Sequence, residues 1–426
     1  MEQHEQTKGE PEFAALVAID WADKKHYWSL RAGAGPIERG TLDNTPEAVE
    51  VWMMELHLRF QGRPVAVALE QRKGALAVLL SKYEQLYLYP VHPYTLAKYR
   101  QTWYPSRSKD DLKDADLLHE MLTKHRDRLR RLDPDTTQMR LLQFHVENRR
   151  KLVDERTALT NKLKDSLKIC YPQVPRWFDN LSTELVGDLL DKWPTLEDLK
   201  KVRPATLEKF LREHNLRDEA KIQQRIAEIG SAIPATADAA VLDSSRHMVA
   251  AWVSQLRILR AAIRDLEKAI RQVAGEQEDF AIFDSLPGAG EAMAPRLMAA
   301  FGTHRDRFES AGELQCFAGI APVKEASGNS VWIHFRWACP KFVRQTFHEW
   351  AACSIPECEW AQAYYDQMKA RGKSHHVAVR ALAFKWMRIL YRCWKQRQPY
   401  REEIHLANLA KRRIPLQRPD APVQMP

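Results

Sequence analysis

The sequence predicts an α/β domain at the N-terminus, followed by a largely all-α remainder. Short apolar segments and alternating segments follow one another between residues 13 and 92, as expected for strands and helices in succession. Apolar residues at heptad spacing run through residues 244–275, which indicates a long helix. A chain of 426 residues, at about 100–200 residues per domain, is expected to form two or three domains.

Residues 13–130 carry the predicted α/β domain, after a flexible N-terminus over residues 1–12. The segments FAALVAIDW, KKHYWSLRA and IERGTL indicate three hairpin-connected strands. Thr45 and Pro46 are a good N-cap and first residue for a helix. The continuous apolar segment PVAVALE indicates a buried strand, KGALAVLLSKY a helix, and YLYPVH a further strand. The predicted order is βββαβαβα, with carboxylates late in the first strand and at the end of the fourth.

A coiled-coil arm is expected from residues 131–170 and 244–278, with a Pro-rich helical insertion at 171–243 between them. The two helices could pair as an antiparallel hairpin or between chains, and an ordinary bundle helix is the alternative. Steps of three and four residues define an apolar seam in the second helix. The seam comprises Val249, Trp252, Leu256, Leu259, Ile263, Leu266, Ile270 and Val273.

The C-terminal part is predicted to be a helical domain over residues 279–400, with a basic tail over 401–426. The segment FDSLPGAGEAMAPRLMAAFG indicates a helix, a tight turn and a second helix. Backbone N–H groups at such a turn can face a phosphate, so Gly288 and Gly290 are candidate nucleic-acid contacts. A plain turn between two packed helices is the alternative.

Composition and charge favour a partner with phosphates. The net charge is +9, and residues 366–413 hold thirteen Lys and Arg against three acids. Such clustering is typical of nucleic-acid binding, although a solvated helix face has the same composition. Six cysteines without a CxxC pair predict a reducing cytoplasm. No apolar stretch reaches about 18 residues and the N-terminus is polar, so neither a membrane span nor a secretory signal is expected.

Four carboxylates form the candidate catalytic site. Asp111 and Asp114 lie three residues apart in SKDDLKDADLLHE, so on a helix they share one face. Asp20 and Glu70 lie at the ends of predicted strands. Together these oxygen donors would suit Mg²⁺, which in two-metal sites stabilises both oxygens of a phosphoryl displacement. A capping and solubilising cluster is the alternative.

The arrangement of strands and carboxylates resembles the RNase H-like fold in its RuvC-type branch. Residues 280–345, with FDSLPGAGEAMAPRLMAAFG and RFESAGELQCFAGIAPVKEASGN, closely resemble the C-terminal half of the DEDD transposases of the insertion sequence one-ten family, which includes Piv-type invertases. AIDWA, ALEQ and the KDDLKDA segment that begins at Lys109 match that family's N-terminal pattern. The resemblance covers residues 13–170 and 244–345.

The resemblance implies a bacterial DNA recombinase that moves its own element. A structured guide RNA, the bridge RNA, would pair with double-stranded donor and target DNA, and the DEDD site would hold Mg²⁺. A serine in the C-terminal domain, here Ser327, would form a covalent 5′-phosphoserine link, with Ser330 as second choice. A dimer or tetramer and a nucleoid-associated location are also expected. Nucleic-acid contacts are assigned to Lys109, Gly288, Gly290, Gly328, Arg336, Lys341 and Arg344.

Two other functions fit the same residues. A structure-specific nuclease of the Holliday-junction type would use the four carboxylates with water and would leave Ser327 idle. A non-catalytic nucleic-acid-binding relative would use neither. The VWIHFRWACPKFVRQ segment departs from the Gly- and Arg-rich pattern of the family, as do the 171–243 insertion and the long basic tail.

Overall fold

A computed structural model describes residues 11–70, 74–103, 111–328 and 330–411, without the side chains of residues 111 and 408–410. The chain forms two compact units. The first combines the chain up to Thr136 with Phe308–Gln345, and the second combines Thr137–Arg307 with the chain from Thr346 onward. No helix among the residues described is both long and apolar enough to cross a bilayer.

The N-terminal part of the first unit is a five-stranded mixed sheet with helices, as the sequence predicts. The sheet order is β3-β2-β1-β4-β5; β2 is antiparallel to both β1 and β3, whereas β4 is parallel to both β1 and β5. The elements are β1 (Ala15–Asp20), β2 (Lys25–Ala32), β3 (Glu38–Asp43), α1 (Pro46–Phe60), β4 (Val65–Leu69), α2 (Ala75–Leu80), β5 (Leu86–Pro90), α3 (Pro93–Trp103) and α4 (Asp111–His125).

The start of α1 confirms the predicted helix cap. The Thr45 side chain accepts a hydrogen bond from the Ala48 backbone N–H at 3.2 Å, and Pro46 occupies the first turn. The cap satisfies a donor that would otherwise lack an intrahelical partner, while proline sits where its missing N–H costs nothing.

The two faces of the sheet carry side chains of different size. Larger apolar residues on one face, such as Ile19 and Leu69, pack with α1 and α2. Alanines on the other face pack with α4. Strand side chains alternate between faces, so this division follows directly from the sequence of each strand. The small face lets α4 lie close to the sheet, where the Ser29 hydroxyl donates to the Ala115 carbonyl at 3.1 Å.

The second unit is helical in its described residues, and it begins with two long helices and a set of shorter ones between them. The shorter helices bury an apolar core against the long pair, which confirms that residues 171–243 are helical. The elements are α5 (Thr137–Cys170), α6 (Val174–Trp177), α7 (Glu184–Lys192), α8 (Leu196–Lys200), α9 (Pro204–Glu213), α10 (Glu219–Ser231) and α11 (Ala239–Gly275).

The long helices α5 and α11 pair antiparallel within one chain. Arg149 bonds Glu267 at 2.5 Å, and Lys162 lies 5.3 Å from the Trp252 ring centroid, so residue numbers rise on one helix as they fall on the other. Of the two pairings that the sequence leaves open, the structure shows the one within the chain. Most of the predicted seam is buried in this arrangement, and Ile263 is 4% exposed.

The remaining elements combine helices with a β-hairpin. They are α12 (Phe280–Asp284), α13 (Gly290–Phe301), α14 (Ala311–Phe317), β6 (Val323–Ser327), β7 (Ser330–His334), α15 (Lys341–Cys353), α16 (Glu359–Ala370), α17 (His375–Gln396) and α18 (Glu402–Lys411). The expectation of an entirely helical C-terminal domain is wrong at β6 and β7. The β-branched and aromatic segment VWIH favours a strand, and the antiparallel partner supplies its hydrogen bonds.

Replacing Ile263 with Lys should destabilise the helical unit by about 3 kcal/mol, because a cation would replace an apolar side chain that is 4% exposed. Ile258→Lys is the matched control, since Ile258 lies on the same helix and is 69% exposed. Thermal unfolding followed by circular dichroism measures both. Equal melting temperatures for the two variants would contradict the packing described.

Candidate active site

Asp20 and Glu70 lie at neighbouring strand ends. Asp20 is the last residue of β1, and Glu70 directly follows β4. The parallel register pairs Ile19 with Leu69, so the next step along both strands brings the two acidic residues side by side, about 4.8 Å apart across the sheet. Alternation from the buried alanines places both side chains on the face that α4 covers. Asp20 is buried and Glu70 is half-buried.

Asp114 lies in the first turn of α4 and is also buried. The helix packs on the alanine face, which is the face of Asp20 and Glu70. Asp111 begins α4, but its side chain lies outside the described residues, as does the whole of Lys109. The structure therefore brings three of the four predicted carboxylates to one layer of the fold, and the placement of the fourth side chain stays a prediction.

The Asp114 carboxylate forms an ion pair with a guanidinium. Arg100 on α3 donates from Nε to Oδ1 at 2.6 Å and from Nη2 to Oδ2 at 2.5 Å, and its side chain is 17% exposed. This bidentate geometry is the strongest form of an Arg–carboxylate contact. It engages both oxygens, so Arg100 would compete with a metal ion for Asp114. The sequence analysis missed Arg100, because nothing in its spacing from the acidic residues marks it.

The donor set suits a hard divalent cation. Carboxylate oxygens are the preferred ligands of Mg²⁺, and Asp20 and Glu70 supply them from adjacent strands. In the structure, the positive charge beside Asp114 comes from the Arg100 guanidinium. Within the described ranges, no three His, Cys, Asp or Glu side chains are arranged to hold a metal ion. The four-carboxylate cage therefore stays a prediction.

His92 is a further neighbour of this site that the sequence analysis did not select. It follows β5, the strand beside β4, and lies close enough to Glu70 to feel its charge. Burial lowers the pKa of His92 below its usual value, and the Glu70 carboxylate partly opposes that shift. The imidazole is therefore neutral near pH 7 and can accept a proton or bind a cation.

Ser327 lies at the tip of the hairpin formed by β6 and β7, which we call the serine hairpin. Ser327 ends β6, pairs with Ser330 in the antiparallel register, and is exposed. Gly328 follows with φ of +56°, a left-handed conformation that glycine adopts without strain. The Ser327 side chain is therefore exposed at the end of a strand.

The serine hairpin belongs to the same compact unit as the sheet. Arg130 pairs with Glu313 at 2.9 Å, and its guanidinium lies 5.0 Å from the Phe308 ring centroid. Both contacts join the segment that carries the hairpin to the chain just after α4. Residues that are about 300 positions apart in sequence are thus carried by one folded body.

The turn before α13 has a packing role in addition to its predicted role in phosphate binding. Gly288 has φ of +68°, and a Cβ there would lie 2.4 Å from the Cys353 carbonyl oxygen, so no larger residue fits. Trp350 Nε1 donates to the Pro287 carbonyl at 3.0 Å, which fixes the same turn. Gly290 faces open space with φ of +48°.

The cations that follow the serine hairpin differ in exposure. Arg344 donates to the Arg336 carbonyl at 3.2 Å and stacks 4.7 Å from the Phe335 ring centroid, so it fixes the segment after β7. Lys341 is exposed at the start of α15. Of the three predicted nucleic-acid contacts here, Lys341 is the most accessible, and Arg336 and Arg344 are half-buried.

Two family models match the chain, one over the acidic residues and the other over the serine hairpin. A DEDD transposase model of the IS110 type matches residues 17–172, and a second model, described as the transposase IS116/IS110/IS902 family, matches residues 281–366. The first range holds Asp20, Glu70, Asp111 and Asp114, and the second holds Ser327.

Curated relatives match between two thirds and nearly all of the chain. The mini-circle candidate transposase for IS117 of Streptomyces coelicolor is 25% identical over 408 residues, 94% of this chain and 98% of the relative. The uncharacterized 44.8 kDa protein of insertion element IS116 of Streptomyces clavuligerus is 25% identical over 383 residues, 88% of this chain and 93% of the relative. An uncharacterized IS900 protein of Mycobacterium paratuberculosis is 25% identical over 295 residues, 68% and 72% of the two chains.

The fold, the strand-end acids and these matches define a DEDD transposase of an insertion sequence. The chain belongs to the IS110 transposase family. Its class is that of DNA-modifying enzymes, and the family normally uses divalent metal ions.

Replacing Arg100 with Gln should lower the free energy of unfolding by roughly 3 kcal/mol, because it leaves a buried carboxylate without its cation. Adding Asp114→Asn to that variant should restore much of the loss. If Asp114 binds metal, millimolar Mg²⁺ should stabilise the Arg100→Gln chain more than the double variant. Urea unfolding with and without MgCl₂ measures these differences.

Arg39→Gln is the matched control. Arg39 makes a bidentate pair with Asp116, which lies on α4 like Asp114, but this pair is more exposed than the pair of Arg100 with Asp114. Its loss should cost no more than about 1 kcal/mol. An Arg100→Gln chain as stable as Arg39→Gln would contradict the buried pair. Equal Mg²⁺ effects on the single and double variants would argue against Asp114 as a ligand.

Proposed function

We propose that this transposase is an RNA-guided DNA recombinase that cuts and rejoins DNA through a Mg²⁺-dependent DEDD site and a covalent phosphoserine. The observation that carries the proposal is that one compact unit contains both the paired strand-end acids and the exposed serine hairpin. A nuclease that used water alone would have no need for a hydroxyl presented in this way.

An RNase H-like fold of RuvC type is part of the same proposal. Its support is the strand order β3-β2-β1-β4-β5, with three antiparallel strands followed by two parallel ones. Acids at the carboxyl ends of the central strands, with a third acid on a covering helix, would give this sheet a catalytic edge. The antiparallel pair α5 and α11 would form the coiled-coil arm.

The proposed roles divide between the acids and the serine. Asp20, Glu70, Asp111 and Asp114 would hold Mg²⁺, which when bound stabilises negative charge on a phosphoryl group. Ser327 Oγ would attack the phosphorus of the cleaved strand. The new Oγ–P bond would replace the P–O3′ bond, which leaves a 3′-hydroxyl and a 5′-phosphoserine.

The proposed partners are double-stranded donor and target DNA, a structured bridge RNA, and further copies of the chain in a dimer or tetramer. Helix α17 supports nucleic-acid binding, because it has no acidic residue over 22 positions and exposes Arg388, Arg392 and Lys395. The proposed location is the bacterial cytoplasm, on the nucleoid.

The wild-type chain, incubated with element-end DNA, the flanking transcript and Mg²⁺, should form a protein–DNA adduct that survives denaturing electrophoresis. Ser327→Ala should abolish this adduct. Ser330→Ala is the matched control, because Ser330 faces Ser327 across the hairpin and should leave the adduct intact. Mass spectrometry of the digested adduct identifies the residue attached to DNA.

The same assay separates the alternatives. Strand cleavage that persists in Ser327→Ala without an adduct would indicate a nuclease that uses water. DNA binding without any cleavage would indicate a non-catalytic relative. Asp20→Asn should bind DNA as the wild type does but should neither cleave it nor form the adduct.

A further inference from the structure

The serine hairpin carries different side chains on its two faces. The antiparallel register pairs Ser327 with Ser330 and Glu325 with Trp332. Directly opposed residues share a face, and successive residues along a strand alternate. The face that carries Ser327 therefore also carries Trp332, whereas Ile333 belongs to the opposite face.

Trp332 is the diagonal neighbour of Ser327. It lies two residues beyond Ser330, the direct partner of Ser327. Diagonal neighbours in an antiparallel pair are about 7–8 Å apart, which is within reach of an aromatic side chain. A base stacked on the indole would hold a phosphate of the same strand over the serine hydroxyl.

Nothing in the described chain covers this face. Trp332 is 53% exposed, and all five residues of β7 are exposed. A two-stranded hairpin with both faces in water is marginally stable, and a large aromatic left in water at its centre indicates a ligand.

The surrounding charges favour a nucleic-acid strand as that ligand. Glu325 is the one acidic residue between positions 323 and 344 of the sequence, and His334 bonds it at 2.9 Å. Lys324 pairs with Ile333 on the opposite face of the hairpin, and Arg336 and Lys341 follow the hairpin in sequence. Aromatic rings among cations bind single strands by stacking, which every base permits.

We propose that Trp332 stacks on a base of the DNA strand to be cut and thereby positions its phosphate over Ser327. The indole is a positioning residue, since it acts through the strand and not on the reacting atoms. The role deepens the proposed function and rests on it, because it presupposes that Ser327 is the nucleophile.

The first measurement is binding of a twenty-residue oligothymidine by fluorescence anisotropy over a range of salt concentrations. Trp332→Ala should weaken binding about tenfold, and Trp332→Phe should restore part of it. The slope of log affinity against log salt should stay unchanged, because stacking releases no counterions. Lys341→Gln should instead lower that slope by about 0.7.

Ile333→Ala is the matched control, since Ile333 is 73% exposed on the opposite face of the same strand. Its affinity for oligothymidine should equal that of the wild type. Unchanged binding by Trp332→Ala would overturn the proposal. So would equal losses in both variants, or a change of oligomeric state in Trp332→Ala, because these results would indicate a protein-binding hairpin.

A second measurement separates failure of this proposal from failure of the proposed function. In the adduct assay, Trp332→Ala should lower the rate of adduct formation at saturating DNA about tenfold. If the wild type forms the adduct and Trp332→Ala does so at the same rate, the positioning role is wrong and the phosphoserine stands. If the wild type forms no adduct, the phosphoserine is wrong, and the oligothymidine measurement alone decides whether Trp332 stacks on bases.

Discussion

The parallel pairing of β1 with β4 is the constraint on which the rest of the site depends. Parallel strands end at the same edge of a sheet, so this pairing makes neighbours of two acids that are fifty residues apart in the chain. The same register aligns the alanines of both strands on one face. That face admits α4 at close range, and α4 brings Asp114. A slip of one residue in β4 would turn Glu70 away from Asp20 and its alanines away from the helix.

Charge balance is the second constraint on this edge of the sheet. Buried carboxylates are costly unless a cation or hydrogen-bond donors compensate them. Arg100 compensates Asp114 in the observed structure, with both oxygens engaged. A guanidinium that balances an acid also competes with any metal ion for it. Arg100 therefore offsets part of the cost of burying the Asp114 carboxylate.

Patterns local in sequence were predicted well, and contacts between distant residues were not. The order of strands and helices up to α3, the Thr45 cap and the apolar seam of α11 follow from periodicity and cap residues within short windows. Arg100 could not be found in this way, because its partner lies across a segment with no periodic signal. The close approach of Gly288 to Cys353 depends in the same way on a helix 65 residues further along the chain.

The serine hairpin shows a different limit of sequence reading. The sequence analysis selected Ser327 but did not predict the strands on either side of it. The surrounding segments have helical spacing, and β7 is only five residues long. The VWIH segment is β-branched and aromatic, which favours a strand, yet all of it is exposed, and its sequence does not alternate between apolar and polar residues. A short exposed strand is fixed by its partner strand more than by its own sequence.

The chain passes through the helical unit between the two parts of the first unit. The chain leaves the first unit after Thr136 and returns to it at Phe308, so the serine hairpin can join the sheet only if this long excursion brings its ends together. Within the second unit, the antiparallel pairing of α5 and α11 returns the end of α11 to the level of the start of α5. Without that pairing, an unfolded segment of some 170 residues would have to be closed at an entropic cost. The long helices thus give the segment between the two parts of the first unit a folded core of its own.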